Sequence, residues 1–235
     1  MRLDRFLSET TELTRSLAKK ALHRGEVSVD GEIIKNPATQ IGEASRVTWN
    51  DAPLALVGLR YVMLHKPAGV ECTARRTLYP RAIDLVGLRK VERLQPVGRL
   101  DVDTTGLVLL TDDGQWSHRV TSPKHRCGKV YRVTLAEPLE GEALEAAIAA
   151  FAEGVLLDGE EKPTRPAELA TRAPTVAELT LYEGKYHQVK RMFAAIGHHV
   201  VALHRESIGP LALGALPEGE WRELMADEIA AFSSR

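Results

Sequence analysis

An apolar run at 107–110 follows directly on a segment of charged and hydroxyl side chains, and this junction constrains the fold more than any other feature. Four consecutive apolar residues between polar flanks are typical of a buried strand. The segment before them, 98–106, reads Gly-Arg-Leu-Asp-Val-Asp-Thr-Thr-Gly. If it is extended, alternation places Arg99, Asp101 and Asp103 on one face. The sequence therefore predicts carboxylates beside an arginine in a cleft, with an ordinary surface turn as the alternative.

The net charge of −1 conceals a strong segregation of charge along the chain. Acidic residues are absent from 13–25, 114–136 and 184–205, which carry many lysines, arginines and histidines. Lysine and arginine are absent from 133–161, where acidic residues collect. A chain that sorts its charges in this way can present one basic face to a polyanion such as RNA. The alternative is that each run is an ordinary solvated face.

Composition and the two cysteines exclude several classes of protein. The chain is 44% hydrophobic and 27% charged, and it contains no apolar run long enough to span a membrane. The N-terminus lacks the apolar core of a secretory signal, so we expect a cytoplasmic protein. Cys72 and Cys127 form no Cys-x-x-Cys pair, which argues against a zinc site and a disulfide framework. No nucleotide-binding glycine loop is present, and we expect neither a metal nor a cofactor.

Residues 1–48 are predicted to form a small separate unit. A short helix is expected at 2–7, and a second helix is expected from an N-cap at Thr14 to Arg24, where Gly25 ends it. The predicted apolar stripe of the second helix comprises Leu17, Ala18, Ala21 and Leu22.

Two further features complete the division of the chain. Polar and apolar residues alternate around an Asp-Gly pair at 30–31, which predicts a hairpin. Residues 49–59 lack a clear period and carry Pro and Gly, so we expect a linker there. Residues 60–235 then form the larger unit.

The first 48 residues resemble the S4 RNA-binding domain. The shared pattern includes Arg-Leu-Asp near the start, an arginine at the head of the second helix, and Gly-x-Val-x-Val-x-Gly at 25–31. S4 domains occur in several classes of RNA-binding protein, so this resemblance implies RNA and not a particular reaction. The residues expected near phosphates are Arg2, Arg15, Lys19 and Arg24.

The larger unit mixes strand and helix patterns. Helices are predicted at 115–120 and 140–152, the second with Leu144, Ile148 and Phe151 on its apolar side, and an amphipathic segment at 221–232 should pack on the sheet. Strands are predicted at 60–66, 107–110, 129–135, 176–182 and 199–205. The expected class is α+β.

Three strings in this unit resemble the RsuA-type pseudouridine synthases. The signature loop of that family, Gly-Arg-Leu-Asp-x-Asp-Thr-Thr-Gly-Leu, stands at 98–107. The other two are Asp-Asp-Gly-Gln-Trp-Ser-His-Arg at 112–119 and Gly-Lys-Tyr-His-Gln-Val-Lys-Arg-Met at 184–192. On these strings the chain is identified as a member of the family.

The resemblance implies roles for individual residues. Asp101, and none of the other aspartates nearby, is expected to be the catalytic carboxylate. Tyr131, in a Lys-x-Tyr string, is expected to stack on the target base. Lys190, the basic residue after Gln-Val, is expected to pair with the catalytic carboxylate, where relatives outside this branch carry arginine. The RNA contacts expected in this part of the chain are Arg99, Lys129 and Arg191.

The resemblance also implies a reaction and a fold. The protein is expected to isomerise one uridine of 16S rRNA, uridine 516, to pseudouridine as a monomer without a cofactor. Attack by the carboxylate at C1′, attack at C6 and a glycal route all remain open. The implied fold is a small S4 domain followed by a catalytic domain with a mostly antiparallel mixed sheet and flanking helices. The alternatives are a synthase for a 23S rRNA uridine and a non-catalytic S4 protein of ribosome assembly.

Overall fold

The computed structural model of the protein describes residues 1–56, 58–122 and 127–232 of the chain. By their internal contacts the residues divide into two compact units, Met1–Gly58 and Leu59–Arg235. Part of the second acid-free stretch, Lys124, His125 and Arg126, lies outside the described residues. No helix in the described ranges is both long enough and apolar enough to cross a membrane.

Two short helices open the first unit, α1 (Leu3–Thr10) and α2 (Arg15–Arg24). The prediction for α2 is confirmed: the Thr14 hydroxyl accepts a hydrogen bond from the backbone N–H of Leu17, and Gly25 ends the helix with a φ of 78°. Leu17 was wrongly assigned to the buried stripe, since it is 45% exposed. It lies about 90° around the helix from the centre of the buried face, at 100° per residue. The stripe that packs inward is Ala18, Ala21 and Leu22.

A four-stranded antiparallel sheet completes the first unit. Its strands are β1 (Val27–Val29), β2 (Glu32–Ile33), β3 (Val47–Trp49) and β4 (Ala52–Leu54), in the order β2-β1-β3-β4. The predicted hairpin around residues 30–31 is confirmed. Residues 49–54 are not the expected linker, because Asn50 and Asp51, both with positive φ, turn the chain into β4. The sequence signal was weak because β4 is short and contains Pro53, which an edge strand tolerates.

The second unit is built on one large mixed sheet. The strands in chain order are β5 (Tyr61–Lys66), β6 (Gln95–Val97), β7 (Thr105–Thr111), β8 (Lys129–Leu135), β9 (Glu168–Ala173), β10 (Val176–Leu181), β11 (Val200–Ile208), β12 (Leu211–Ala212) and β13 (Trp221–Glu223). The main path runs β13-β5-β7-β11-β8-β10-β9, with β6 beside β7 and β12 beside β11. The pairs are antiparallel except for β7 and β11, which are parallel. The predicted α+β class with a mostly antiparallel mixed sheet is thus confirmed.

Helices cover both faces of this sheet. They are α3 (Gly114–Thr121), α4 (Gly141–Glu153), α5 (Gln188–Ala195) and the short α6 (Ala226–Ala230), with 3-10 turns at Ala82–Leu85 and Val91–Arg93. Phe151 and Phe193 lie in one core, and Trp116 lies in the other. On α4, Ala147 and Phe151 are buried, whereas Ile148, predicted on its apolar side, is 39% exposed.

The segment 221–232 is part strand and part helix. Its first residues form β13, which hydrogen-bonds to β5 at the sheet edge, and only Ala226–Ala230 is helical. Leu224, Ile229 and Phe232 pack against the cluster that contains Met63 and Trp116, so the segment packs on the sheet as expected.

The parallel contact between β7 and β11 requires a glycine. Gly106 lies opposite Arg205 with a φ of 110°. A Cβ at this position would lie 2.2 Å from the carbonyl oxygen of Arg205 and 2.6 Å from its nitrogen. The second glycine of the 98–106 segment is therefore needed for close approach of two backbones, directly beside the polar loop.

Candidate active site

The polar loop lines a cleft of about 840 Å³ in the second unit. The other walls come from β8, from β11, and from α5 with the residues before it. Five of the residues that the sequence predicted for this unit line the cleft: Arg99, Asp101, Lys129, Tyr131 and Lys190. A smaller cavity of about 420 Å³ lies beside Cys127, Tyr182 and Phe232, and no carboxylate lines it among the described residues. The larger cleft is therefore the candidate site.

The loop itself is not extended, contrary to the prediction. The chain turns at Val102 and Asp103, and the N–H of Thr104 donates to the carbonyl of Asp101 at 3.1 Å. The carbonyl of Val102 accepts from the N–H of Gly69 at 2.8 Å and from Nζ of Lys66 at 3.2 Å. The prediction of an extended segment was wrong because this stretch, rich in glycine and hydroxyl side chains, has no neighbouring strand to keep it extended.

The buried side chain of Lys66 fixes this loop by hydrogen bonds to backbone carbonyls. It is fully buried, and its Nζ also donates to the carbonyls of Pro67 and Val70, each at 2.8 Å. Burial lowers the pKa of Lys66. Because all of these acceptors are backbone carbonyls, Lys66 has a structural role in fixing the loop.

Lys190 lies between the two loop aspartates. Its Nζ donates to both carboxylate oxygens of Asp103 at 2.8 Å and lies 3.5 Å from Asp101. The expected ion pair with Asp101 is present, and the turn also brings Asp103 to the same ammonium at a shorter distance. The hydrogen bond from Lys190 lowers the pKa of Asp103. Desolvation opposes the charged form of Lys190, but the hydrogen bond to Asp103 and the charges of both aspartates raise its pKa overall.

The four aspartates of this region differ in their hydrogen-bond partners and in their exposure. Asp112 accepts from the N–H of Arg60 at 2.7 Å and pairs with Arg93 at 2.9 Å. Asp113 caps α3 and accepts from the hydroxyl of Tyr61 at 2.7 Å. The Asp101 side chain is 29% exposed inside the cleft, whereas that of Asp103 is 71% exposed. The geometry thus favours Asp101 as the carboxylate that an enclosed ligand would meet.

His187 also approaches Asp101, and the sequence reasoning missed it. Its Nε2 lies 3.4 Å from Oδ1 of Asp101, and its ring stacks on Tyr186 at 3.8 Å between centroids. The backbone of His187 is left-handed, with a φ of 47°, which is uncommon outside glycine and asparagine. A carboxylate only accepts hydrogen bonds, so Nε2 must carry a proton for this contact to be favourable. His187 stands in the Gly-Lys-Tyr-His-Gln-Val-Lys-Arg-Met string, of which only Lys190 and Arg191 were assigned roles.

Tyr131 and Arg205 form the floor of the cleft. Tyr131 is 8% exposed and Arg205 is 1% exposed. The guanidinium donates from Nε to the carbonyl of Leu107 at 2.8 Å and from Nη1 to the hydroxyl of Tyr131 at 3.4 Å. Desolvation and then the charge of Arg205 lower the pKa of Lys129 beside them. Arg205 was predicted only as part of a basic run, because no local pattern shows that a strand arginine points inward.

The remaining predicted RNA contacts of the second unit fall in two places. Arg99 stands at the cleft with its side chain 75% exposed, 4.0 Å from Glu71. Arg191 does not line the cleft, because its guanidinium pairs with Glu160 at 3.1 Å and donates to the carbonyl of Asp158 at 2.5 Å. These bonds tie α5 to an acidic loop, so the basic helix is partly neutralised from within the protein.

The first unit carries the other predicted RNA contacts. Arg2 and Arg15 converge on the buried Asp4, at 3.0 Å and 3.6 Å. The hydrogen bond from Arg2 lowers the pKa of Asp4. Arg24 pairs with Glu26, and Lys19 is exposed on α2. All four cations are at least partly exposed, so they remain accessible to a polyanion.

Comparisons with known proteins cover almost the whole chain. A family model for RNA pseudouridylate synthase matches residues 60–195, and an S4 domain model matches residues 1–47. Ribosomal small subunit pseudouridine synthase A of Vibrio cholerae is 48% identical over 233 residues, covering 99% of both chains. The protein of the same name from Escherichia coli K12 is 46% identical over 233 residues, covering 98% of this chain and 99% of its own. A crystal structure of a pseudouridylate synthase matches with a TM-score of 0.70 at 48% identity, covering 99% of each chain.

Proposed function

The chain belongs to the RNA pseudouridylate synthase family, and from this premise we propose that it isomerises one uridine of small-subunit ribosomal RNA, uridine 516, to pseudouridine. Relatives that match over nearly their full length carry the name of a small-subunit enzyme, which supports that choice of substrate. The observation that carries the proposed chemistry is the enclosed Asp101, which faces the cleft beside Lys190 and Tyr131. The protein acts as a cytoplasmic monomer and needs no cofactor.

The proposed reaction uses Asp101 as a nucleophile. An oxygen of its carboxylate attacks C1′ of the ribose while the bond from C1′ to N1 of uracil breaks, much as retaining glycosidases use a carboxylate at an anomeric carbon. The freed base turns within the cleft, and C5 displaces the carboxylate from C1′. C5 then loses its proton, N1 takes up a proton, and the double bond between C5 and C6 of uracil is restored. No bond is oxidised or hydrolysed in this sequence.

Tyr131 serves the target base in this scheme. A uridine within folded RNA must leave its stack to reach an enclosed carboxylate, at a cost of a few kcal/mol. Stacking of a base on an aromatic ring recovers about 1–3 kcal/mol. Tyr131 supplies that ring in the floor of the cleft. We assign the removal of the C5 proton to its hydroxyl, which accepts a hydrogen bond from Arg205.

The experiment that tests the proposed function is tritium release from RNA labelled at C5 of uridine. The purified full chain should release tritium from small-subunit rRNA, because the C5 hydrogen is lost in the reaction. Large-subunit rRNA and unrelated RNA of equal length are the controls. Release from the large-subunit RNA alone would transfer the function to the other ribosomal subunit, and no release from any RNA would leave an RNA-binding protein without this activity.

Lys190→Met should lower the single-turnover rate by about tenfold or more and leave RNA affinity nearly unchanged. The variant leaves two neighbouring carboxylates without the ammonium that lies between them. Loss of the Lys190 hydrogen bond should also raise the pKa of Asp103, which a carboxyl NMR titration measures.

Lys190→Arg is the matched control, since it keeps the charge. It should retain much of the rate, with some loss because the wider guanidinium must fit between two carboxylates. If Lys190 were only a phosphate contact, the Met variant would bind RNA more weakly and react at the normal rate once saturated. That outcome would contradict the proposed role.

Replacing Arg15 and Lys19 of α2 by glutamine should weaken RNA binding without changing the rate at saturation. Each lost phosphate contact should reduce the slope of log affinity against log salt by roughly 0.7–0.9. Arg2 still provides direct hydrogen bonds to Asp4, so the unit should stay folded, which circular dichroism checks. Lys162→Gln, which removes one charge from an exposed lysine of the second unit, is the control and should leave the salt slope unchanged. An unchanged salt slope would show that α2 is not the docking surface.

A further inference from the structure

A buried guanidinium in the floor of the cleft has a donor that the protein leaves unused. Arg205 is 1% exposed and lines the cleft. Two of its nitrogens are bonded, Nε to the carbonyl of Leu107 and Nη1 to the hydroxyl of Tyr131. Its Nη2 is buried and has no hydrogen-bond partner in the described part of the chain. Buried donors in native proteins are nearly always satisfied, so an unused donor on a residue that lines a cleft points to a ligand atom in that cleft.

The charge of this guanidinium points in the same direction. The two hydrogen bonds of Arg205 go to a carbonyl and a hydroxyl, neither of which neutralises a cation. Lys129, a second cation, also lines the cleft. Desolvation is the main cause that lowers the pKa of Lys129, and the charge of Arg205 lowers it further. A buried cation is costly unless an anion or strong acceptor joins it. The floor of the cleft is therefore suited to a group that is, or becomes, negatively charged.

We propose that Nη2 of Arg205 binds a carbonyl oxygen of the target uracil and stabilises the negative charge that the base acquires when it leaves C1′. When the C1′–N1 bond breaks, its electron pair stays with uracil and spreads over the ring and both carbonyl oxygens. An oxygen of Asp101 takes the vacated position at C1′, and Arg205 donates a hydrogen bond without giving up a proton. The inference rests on the proposed function and adds a catalytic residue to it.

The position of Arg205 favours the base over the phosphate as its partner. The guanidinium carbon lies 6.0 Å from the centroid of the Tyr131 ring, and Tyr131 is the ring on which the base is proposed to stack. A phosphate keeps most of its hydration, which suits the exposed Arg99 rather than a side chain that is 1% exposed. A donor already fixed in place stabilises developing charge without reorganisation at the moment of reaction.

The variants Arg205→Gln and Arg205→Lys test the proposal in the full chain. The Gln variant should lower the single-turnover rate by about 100-fold or more, the loss typical of removing one donor to a developing oxyanion. The rate of the Lys variant should fall between that of the Gln variant and that of the wild type, because lysine keeps the charge but lacks the planar set of N–H donors of a guanidinium. RNA affinity should stay near the wild-type value for both. Arg132→Gln is the matched control, because Arg132 follows Tyr131 in β8 and carries the same charge as Arg205; this variant should react normally.

A better leaving group should reduce the need for Arg205. Fluorine at C5 makes uracil a more stable anion, so small-subunit rRNA transcribed with 5-fluorouridine should depend less on the guanidinium. Consumption of 5-fluorouridine, measured by mass spectrometry of nuclease digests, should give a ratio of wild-type to Gln-variant rate at least about tenfold smaller than with uridine. A merely structural role for Arg205 predicts the same ratio for both RNAs, and that result overturns the proposal.

Two outcomes separate failure of this inference from other failures. If the wild type releases no tritium, the proposed function fails; if it releases tritium and a folded Arg205→Gln variant does so equally fast, only the role of Arg205 fails. If both Arg205 variants unfold, inhibition of the wild type still decides the matter. Uridine monophosphate should inhibit at concentrations where an analogue with a phenyl ring in place of uracil, which can stack on Tyr131 but has no carbonyl oxygen, does not. Equal inhibition by the two compounds would overturn the assignment to a carbonyl oxygen of the base.

Discussion

Asp101→Asn is expected to abolish pseudouridine formation while the protein stays folded and keeps most of its affinity for RNA. The amide has nearly the shape of the carboxylate but is not an anionic nucleophile, so a fall of roughly 10⁴-fold or more in single-turnover rate is expected. The fold should be insensitive to the change, because Asp101 is partly exposed in the cleft and its ion contacts with His187 and Lys190 are long, at 3.4 Å and 3.5 Å. Tritium release under single-turnover conditions and a parallel binding titration measure the two effects.

Asp103→Asn is the matched control for this prediction. Asp103 is two residues away, carries the same charge and contacts the same Lys190 more closely. Its side chain is 71% exposed, so it should contribute to the position of Lys190 rather than react. We expect this variant to keep a substantial part of the rate. An inactive Asp103→Asn beside an active Asp101→Asn would reverse the assignment of the nucleophile.

Gly106→Ala is expected to have the largest effect on stability. A methyl group there would lie 2.2 Å from the carbonyl oxygen of Arg205, and the φ of 110° is strained for any L side chain. Overpacking and backbone strain together should cost about 3–5 kcal/mol. For a chain of this size that loss should lower the melting temperature by roughly 10 °C or more.

The measurement is thermal unfolding of the full chain, followed by circular dichroism. Gly87→Ala is the control, since no atom lies within 4 Å of its added Cβ and its φ is not positive. It should change the melting temperature little. Because Gly106 pairs with Arg205, any folded fraction of the Ala variant should also react slowly. A melting temperature equal to that of the wild type would show that β7 and β11 separate at little cost.

Local signals in the sequence predicted the local structure well. The limits of α2 followed from Thr14 and Gly25, because capping depends only on residues within one turn. β8 and β10 followed from alternation over six or seven residues. β6, β9 and β13 were not predicted as strands, since they are short or mostly exposed. Register and strand order depend on contacts between distant segments, which no local pattern contains.

The candidate site shows the same division. Asp101, Tyr131 and Lys190 were selected by motif strings, and all three line one cleft. The second partner of Lys190, Asp103, was not predictable, because it depends on a turn held by Lys66 from a distant strand. The inward direction of Arg205 depends on its place in β11 between β7 and β8, which only the assembled sheet defines.

The most direct test of the central claim is a map of pseudouridines in ribosomal RNA from cells that lack this protein, compared with the parent strain. Complementation with the wild-type chain and with Asp101→Asn completes the design. The account predicts that one uridine of the small-subunit RNA, uridine 516, loses its modification, that the wild-type chain restores it, and that the Asn variant does not. An unchanged small-subunit map, or restoration by Asp101→Asn, would contradict it.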